Sequence, residues 1–188
     1  MPKFSVLLSV YGGEKGDFLR SSLESVFSQT VRAAEVVLVE DGPLTEELYR
    51  VVDEFCAGYP ELKVVPLAEN GGLGRALNEG LKHCSYDIVA RMDTDDICRP
   101  YRFERQLAVL REHPDVAVVS AWIDEFVDTP EHIVSTRKLP ETPEELFEYG
   151  KSRCPVNHPV VMFRKRAVVE SGGYMHYPLF EDYYLWAR

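Results

Sequence analysis

The stretch Ile88-Val89-Ala90-Arg91-Met92-Asp93-Thr94-Asp95-Asp96 joins an apolar run directly to three carboxylates. The apolar part, extended back to residue 86, predicts a buried β-strand. Carboxylates this close repel one another unless a cation neutralises them or water screens them. Oxygen ligands suit Mg²⁺ or Mn²⁺ better than Zn²⁺. The stretch therefore predicts either a divalent metal site at the end of a strand or a solvated acidic turn, and alone it does not decide between them.

Strand and helix patterns alternate on both sides of this stretch. Apolar runs rich in strand formers predict strands at residues 4–10, 35–40, 62–67, 86–92 and 116–121. Helical spacing of apolar residues predicts helices at residues 17–29, 45–57 and 73–83, and one that starts near Pro100 and ends before Pro114. Asp17 and Thr45 are the predicted N-caps of the first two helices. This alternation predicts an α/β fold with a doubly wound, mostly parallel sheet flanked by helices.

The pattern weakens beyond residue 124. Further strands are predicted at residues 133–139 and 160–163, with short helices near 143–149 and 164–171. The sequence contains no internal repeat and no low-complexity linker. One domain is the natural expectation for 188 residues.

Composition and charge restrict the classes of function. The chain has 45% hydrophobic and 28% charged residues, as soluble globular proteins do. Its net charge of −10 argues against a nucleic-acid partner, because phosphate contacts need clustered Lys and Arg. An anionic small molecule remains compatible with this charge, since a bound cation can reverse the local field.

The cysteines and the apolar runs indicate the compartment. The four cysteines are scattered single thiols that suit a reducing cytoplasm: Cys56, Cys84, Cys98 and Cys154. A zinc site from Cys84, Cys154, His83 and His158 is conceivable, but the spacing gives it little support. The run at residues 4–10 is far shorter than the ~20 residues of a membrane span. We therefore expect a cytoplasmic protein with no transmembrane segment in this chain, either free or peripheral at the inner face of the cytoplasmic membrane.

Three predicted strands end in residues that can bind a ligand. The first ends at residues 9–11, the second at residues 40–42 and the fourth at the acidic cluster. In open parallel sheets, ligands bind outside the carboxyl ends of the strands. We therefore expect one site to draw on all three ends.

Two further motifs are weaker signals. Residues 70–75, Asn-Gly-Gly-Leu-Gly-Arg, can cradle a phosphate at a helix N-terminus or form a plain tight turn. A dinucleotide fingerprint is disfavoured, because Leu77 stands where the third glycine belongs. The pair Glu181-Asp182 precedes an apolar helical stretch, so it is either a helix N-terminus or a source of a general base.

Together these motifs resemble the family 2 glycosyltransferases, whose fold is GT-A. The resemblance covers essentially the whole chain, and the order and spacing of the motifs are more specific than any one of them. The shared stretches are residues 4–11, 23–30, 36–42, 70–80, 88–96, 157–163 and 181–182. Residues 39–43 and 90–97 look like the branch that builds bacterial exopolysaccharide and surface glycans.

The resemblance implies roles in binding the donor. Tyr11 would stack on the nucleotide base, and Ser9 would line that pocket. Asp41 would hydrogen-bond the edge of the base, and Asp93 would lie near the ribose or sugar. Arg75, from the glycine-rich stretch, is a further candidate contact to the nucleotide sugar.

The resemblance also implies roles in catalysis. Asp95 would ligate Mn²⁺ or Mg²⁺, with Asp96 close by, and Asp182 would be the general base, with Glu181 as the alternative. These roles agree with inverting transfer, which needs a carboxylate to take the acceptor proton and positive charge on the departing diphosphate. His158 either touches the diphosphate or acceptor or is an ordinary turn histidine before a proline.

The function implied is metal-dependent inverting transfer of a sugar from a nucleotide diphosphate sugar, with a UDP-sugar preferred. The acceptor would be a glycan or a lipid-linked molecule in bacterial polysaccharide biosynthesis. We expect one catalytic domain over residues 1–188, with a nucleotide-binding half at about 1–97 and an acceptor half at about 98–188. Relatives usually continue beyond the position of Asp182, so a C-terminally truncated domain is expected.

Two departures and two alternatives accompany this prediction. Glu40 stands where many relatives carry Asp, and Pro43 replaces a small polar residue, which puts detail of the base pocket in doubt. One alternative is a sugar nucleotidyltransferase, which usually has a glycine-rich loop with Lys and Arg after the first strand. Residues 12–16, Gly-Gly-Glu-Lys-Gly, are a faint match without the arginine. The other alternative is a truncated domain that binds nucleotide sugar without turnover.

Overall fold

A computed structural model describes residues 2–177 and 179–188 of the chain. The first half alternates strands and helices: β1 (Ser5–Tyr11), α1 (Gly16–Phe27), β2 (Glu35–Asp41), α2 (Glu46–Gly58), β3 (Leu62–Pro66), α3 (Leu73–His83) and β4 (Ile88–Arg91). The second half is less regular: α4 (Arg102–Glu112), β5 (Val118–Val119), β6 (Ile123–Phe126), β7 (Ile133–Arg137), α5 (Pro143–Gly150), a 3₁₀ turn (His158–Val160), β8 (Met162–Arg164), α6 (Lys165–Glu170) and α7 (Glu181–Trp186).

The central sheet has the strand order β3-β2-β1-β4-β8-β5. Strands β3, β2, β1 and β4 run parallel, and β8 is antiparallel to both of its neighbours. The predicted doubly wound, mostly parallel sheet is thereby confirmed. Because β1 lies between β2 and β4, the carboxyl ends of these three strands are neighbours at one edge.

Helices cover both faces of the sheet, which explains why its strands are continuous apolar runs. Helices α1, α2 and α4 pack on one face, around Leu8 of β1. Helices α3, α6 and α7 pack on the other face, around Leu7 and Val39. The approach of α3 depends on Gly80, since a Cβ there would clash with the fully buried side chain of Leu7 and lie 2.7 Å from Val39 Cγ2.

The predicted elements of the first half are confirmed with small boundary shifts. Thr45 is the N-cap of α2, and its Oγ1 accepts a hydrogen bond from Leu48 N at 3.3 Å. Asp17 as an N-cap is wrong, because α1 begins at Gly16 and Lys15 is the capping residue. Asp17 lies instead in the first turn, where its charge still complements the helix dipole.

The second half departs further from prediction. The predicted strand at 116–121 shrinks to the two residues of β5, which pairs with β8. Strand β6 was not predicted, because its sequence Ile-Asp-Glu-Phe is largely solvent-exposed and carries little apolar signal. It pairs with β7 in a separate two-stranded sheet. Helix α4 begins two residues after Pro100, with Tyr101 as its N-cap.

Two predictions about the whole chain can be compared with the structure. The four cysteines are free thiols, as their spacing predicted. Within residues 2–177 and 179–188, no helix has the length and apolarity needed to cross a bilayer.

Replacing Gly80 with Ala should lower the free energy of unfolding by about 1–2 kcal/mol. Overpacking a core costs roughly 1–3 kcal/mol, and about 2–3 kcal/mol is expected here because two contacts lie below 3 Å. The better helix propensity of Ala offsets about 1 kcal/mol of this. Gly58→Ala is the matched control, since a Cβ at Gly58 has nothing within 4 Å, and it should be neutral or stabilising. Urea unfolding of both variants measures the difference; a Gly80→Ala protein as stable as wild type would contradict the packing described here.

Candidate active site

The carboxyl ends of β1, β2 and β4 form one edge, as predicted. Tyr11 is the register partner of Asp41 across β1 and β2. On the other side, Met92 N donates to Leu7 O at 3.1 Å, and Thr94 Oγ1 donates to Ser9 O at 3.3 Å. The loop that carries the acidic cluster therefore continues alongside β1 as far as Ser9.

The three carboxylates of the acidic cluster converge. Asp93, Asp95 and Asp96 each place an oxygen within 4.8 Å of the others. Asp95 is exposed, and the other two are half-buried. Burial, together with the charges of Asp93 and Asp95, raises the pKa of Asp96 to about 6. Three converging carboxylates, which offer hard oxygen donors and negative charge, are a set that fits Mg²⁺ or Mn²⁺.

Asp93 differs from the other two because a buried cation holds it. Arg91 is 1% exposed, and its Nη1 donates to Asp93 Oδ2 at 2.6 Å while Nη2 pairs with Oδ1. A buried guanidinium needs such a bidentate partner, because an unpaired charge in the interior is strongly unfavourable. Among the described residues, no cationic side chain is bonded to Asp95 or Asp96, so these two carboxylates remain available.

A second buried arginine supports the same strand end. Arg102, from α4, donates through Nη2 to the carbonyl oxygens of Arg91 at 2.6 Å and Val161 at 3.2 Å. Its positive charge also opposes the rise in the pKa of Asp96. Sequence reasoning missed both arginines. The available signal was Arg91 itself, a charge inside an apolar strand that could only be buried with an acidic partner nearby.

Asp41 organises the glycine-rich turn before α3. Its carboxylate accepts hydrogen bonds from Gly71 N at 2.8 Å and Gly72 N at 3.0 Å. Gly72 has a φ of 86°, a left-handed conformation in which a side chain would be strained. The predicted contact of Asp41 with a nucleotide base stays a prediction. Arg75 lies on the first turn of α3, is exposed, and pairs with Glu69 at 3.1 Å.

Tyr11 and Glu14 flank the acidic loop on the β1 side. The Tyr11 ring is 52% exposed and lies against Gly13, where a Cβ would come within 2.8 Å of Tyr11 Cζ. An exposed aromatic ring at a strand end is available for stacking on a planar ligand. Glu14 Oε2 lies 3.4 Å from Thr94 Oγ1 and is an alternative acceptor for that hydroxyl. Glu14 is thus a fourth carboxylate beside the loop that sequence reasoning did not select.

His158 lies in the interior. Its side chain belongs to the 3₁₀ turn before β8, is 6% exposed, and packs with ring-centroid distances of 5.5 Å to Tyr174 and 5.7 Å to Trp186. Burial, and then the charge of Arg91, lowers its pKa well below the usual 6.5, so the ring is neutral. Its predicted contact with a diphosphate or acceptor stays a prediction. The alternative, a turn histidine before a proline, agrees with its place in the 3₁₀ turn, and that turn is buried.

Glu181 and Asp182 occupy the first turn of α7. Asp182 is half-buried, and Cys154 Sγ lies 3.9 Å from its Oδ2. Glu181 helps to line a cavity of about 500 Å³, which also contacts the start of α3 and residues 174–177. A Cβ at Gly74 would lie 3.5 Å from Glu181 Cβ, so α7 begins against the same turn that Asp41 organises.

The alternative zinc site is not assembled. Over the part of the chain that the structure describes, the only group of three or more possible metal-ligating side chains is the acidic cluster. Cys84 is buried in the core beneath α3, and Cys154 lies beside Asp182. The set of two cysteines and two histidines, which the spacing supported little, is therefore not brought together.

Comparison with known proteins identifies the family. Residues 5–172 match the family described as glycosyl transferase family 2. This chain belongs to that family. An uncharacterised glycosyltransferase of Haemophilus influenzae is 49% identical over 99% of the chain and 68% of its own length. The amylovoran biosynthesis glycosyltransferase AmsE of Erwinia amylovora is 43% identical over 98% of the chain and 68% of its own length.

Solved structures support the GT-A fold of this family 2 domain. The mannosyltransferase PcManGT of Pyrobaculum calidifontis superposes with a TM-score of 0.73 at 20% identity, over 98% of this chain and 50% of that one. Staphylococcus aureus TarS superposes with a TM-score of 0.73 at 22% identity, and the match covers 99% of this chain and 54% of the TarS chain. The chain thus spans about two thirds of the length of its curated relatives and about half of these solved chains.

Asp93→Asn should destabilise the protein more than the same change at Asp95. Removing the Asp93 charge leaves Arg91 buried without its anion, which costs about 2 kcal/mol, less than the roughly 3–5 kcal/mol of a fully buried pair because the Asp93 side chain is 30% exposed. Asp95→Asn should leave stability unchanged or slightly raised, since it relieves repulsion. Urea unfolding without divalent cations compares the free energies of unfolding of the two variants. Equal destabilisation by both changes would show that the buried Arg91 charge does not need Asp93 for its neutralisation.

The stability of the cation-free protein should depend on pH through Asp96. Its folded pKa of about 6 lies above its ordinary 3.8, so the folded state favours the protonated form. Proton binding to Asp96 therefore stabilises the folded state. This stabilisation is fully present below about pH 4 and is lost as the pH rises through about 6. In Asp96→Asn the fall in stability from about pH 4 to about pH 7 should be smaller. Urea unfolding between about pH 4 and about pH 7 measures the free energy of unfolding of the wild type and of Asp96→Asn. The same dependence on pH in both proteins would contradict the prediction.

Proposed function

We propose that this domain catalyses metal-dependent, inverting transfer of a sugar from a nucleotide diphosphate sugar, a UDP-sugar by preference, to a glycan or lipid-linked acceptor. The observation that carries the proposal is the convergence of Asp93, Asp95 and Asp96 at the strand edge shared with Tyr11 and Asp41. A metal site, a stacking ring and a polar turn at one edge are what a nucleotide diphosphate requires.

The names of similar proteins support the donor and acceptor classes. A relative from Escherichia coli, 40% identical over the whole chain and 67% of its own length, is the UDP-Gal:alpha-D-GlcNAc-diphosphoundecaprenol beta-1,3-galactosyltransferase. TarS has been solved with UDP-GlcNAc, and PcManGT with GDP-Man and Mn²⁺. UDP-sugars and a diphospholipid-linked acceptor are therefore the first candidates for this chain, in bacterial surface polysaccharide biosynthesis at the inner face of the cytoplasmic membrane.

The donor side of the mechanism uses the strand edge. Tyr11 stacks on the base, with Ser9, Asp41 and Arg75 around it, and Asp93, fixed by Arg91, faces the ribose or sugar. Asp95 and Asp96 would hold the divalent cation, which, when bound, supplies positive charge to the leaving diphosphate. Arg91 neutralises Asp93, so the acidic cluster does not repel the donor phosphates with its full charge.

The acceptor side uses α7. The acceptor hydroxyl oxygen attacks the anomeric carbon as the bond from that carbon to the diphosphate oxygen breaks. Asp182 takes the hydroxyl proton, and Glu181 in the same helical turn is the alternative base. A boundary near residue 97, between a nucleotide-binding half and an acceptor half, remains part of this proposal.

Asp182→Asn should abolish transfer while leaving the donor site intact. We expect a loss of at least about 10²-fold in kcat, since general-base catalysis contributes roughly 10²–10⁴-fold. Glu181→Gln is the matched control and should keep most activity. Product formation is measured with a panel of UDP-sugars and a GlcNAc-diphosphate-lipid acceptor, and donor binding is measured as thermal stabilisation with and without Mn²⁺.

The outcomes of this experiment separate the alternatives. Full transfer activity in Asp182→Asn would show that Asp182 is not the base. Loss of activity in Glu181→Gln, with full activity in Asp182→Asn, would assign the base to Glu181. Stabilisation by nucleotide sugar with no transfer in the wild type would favour a binding domain without turnover. Release of pyrophosphate from a nucleoside triphosphate and a sugar phosphate would favour a nucleotidyltransferase.

A further inference from the structure

Buried polar atoms without partners are concentrated in one place. Over residues 2–177 and 179–188, seven buried side-chain nitrogen or oxygen atoms have no hydrogen-bond partner. They belong to Arg91, Asn157, His158, Tyr174, Glu181 and Trp186. These residues meet where the end of β4, the 3₁₀ turn, the segment before α7 and α7 itself come together. Such atoms call for an explanation, because nearly all buried polar groups in folded proteins are paired.

Tyr174 is held firmly in this place. Its carbonyl oxygen accepts from Asn78 Nδ2 at 2.5 Å, and its amide donates to Asn78 Oδ1 at 2.9 Å. The preceding Gly173 has a φ of 66°, and its carbonyl oxygen accepts from Arg188 Nη2 at 2.6 Å. The Tyr174 ring is 4% exposed and meets the edge of the His158 ring. Its hydroxyl is therefore fixed in the interior by the backbone.

The surroundings of this hydroxyl are charged groups of the proposed active site. Burial raises the pKa of Tyr174; the charge of Arg91 opposes that rise, and Asp182 and Asp93 add to it. A Cβ at Gly74 would lie 3.4 Å from Tyr174 Cβ and 3.5 Å from Glu181 Cβ, so Tyr174 packs against the same point of α3 as the first turn of α7. A phenylalanine would fill the same space without the penalty of a buried unpaired hydroxyl.

The donor and acceptor capacities of these groups allow them to form a balanced chain of hydrogen bonds. Arg91 can only donate, and its Nε–H has no partner among the described residues. Neutral His158 offers one acceptor nitrogen and one N–H, and a tyrosine hydroxyl can accept and donate. An ionised Asp182 can only accept. One such chain runs from Arg91 Nε–H to His158, from His158 N–H to the Tyr174 oxygen, and from Tyr174 O–H to Asp182, and it uses the existing contact between the two rings.

We propose that His158 and Tyr174 are positioning residues, and that in the substrate-loaded enzyme they complete this hydrogen-bonded chain from Arg91 to Asp182. The chain fixes the general base on α7 relative to Asp93, because Arg91 also holds the Asp93 carboxylate. Side-chain rotation or a single bridging water joins rings whose centroids are 5.5 Å apart. The proposal rests on the glycosyltransferase function proposed above.

Tyr174→Phe tests the proposal, because it removes only the hydroxyl. We expect kcat to fall about tenfold or more, as misplacement of a reacting group by a fraction of an ångström can do. The KM for the donor should stay within about twofold, because the buried Tyr174 hydroxyl is not among the proposed donor contacts. The melting temperature should equal or exceed that of the wild type, since an unpaired hydroxyl has been removed.

Tyr183→Phe is the matched control on α7. The Tyr183 hydroxyl donates to Gly150 O at 2.7 Å, so its loss should lower the melting temperature while kcat stays within about twofold. His158→Phe should reproduce the loss of kcat in Tyr174→Phe, and the double variant should lose little more, as members of one network do. Wild-type kcat in Tyr174→Phe, or an equal loss in Tyr183→Phe, would overturn the proposal.

A spectroscopic readout keeps this test separate from the proposed function. In the Mg²⁺- and UDP-loaded protein, the ¹⁵N resonances of the His158 ring should show one neutral tautomer, and Tyr174→Phe should shift them. Unchanged His158 resonances in that variant would refute the chain even if transfer activity were never found. Failure of the function alone would appear as a wild type that makes no product while the His158 resonances still respond to Tyr174→Phe.

Discussion

The site depends on the burial of one guanidinium at the end of β4. Arg91 is excluded from water, so its charge must be neutralised within the fold, and Asp93 does this with both carboxylate oxygens. The pairing fixes the first residue of the acidic loop. Asp95 and Asp96 then follow in set directions with their carboxylates unpaired by cationic side chains of the described chain. One buried ion pair thereby divides three similar residues into one that is neutralised and two that are available to a cation.

A second set of contacts connects this edge to α7. Asp41 at the end of β2 ties down the amides that precede α3, and Asn78 within α3 clasps the backbone of Tyr174. Tyr174 and Glu181 both pack against Gly74 at the start of the same helix. Helix α3 is consequently the common support of the donor edge and of the helix that carries Asp182. The close approach of α3 to β1, which Gly80 permits, is therefore a requirement of the site as well as of the core.

The parts that the sequence predicted correctly are those in which local pattern and burial agree. Strands buried on both faces, such as β2, are unbroken apolar runs, and α3 carries its apolar residues at helical spacing, so both were located almost to the residue. Strand β6 lies on an exposed hairpin with little apolar patterning, and its pairing with β7 is a tertiary event that local sequence does not encode. The interior position of His158 escaped prediction for a related reason: a histidine before a proline looks the same in sequence whether the turn is exposed or buried.

The buried position of His158 changes how its neighbourhood contributes to chemistry. A surface histidine would act by contact with substrate, and its charge would vary near neutral pH. In the interior beside Arg91, burial and the neighbouring positive charge hold the ring neutral, so it keeps one donor and one acceptor nitrogen at all physiological pH values. A neutral ring is the only form that can both accept from Arg91 and donate to Tyr174. The burial that holds the His158 ring neutral is thus what suits it to connect the two carboxylate-bearing halves of the site in the proposed chain.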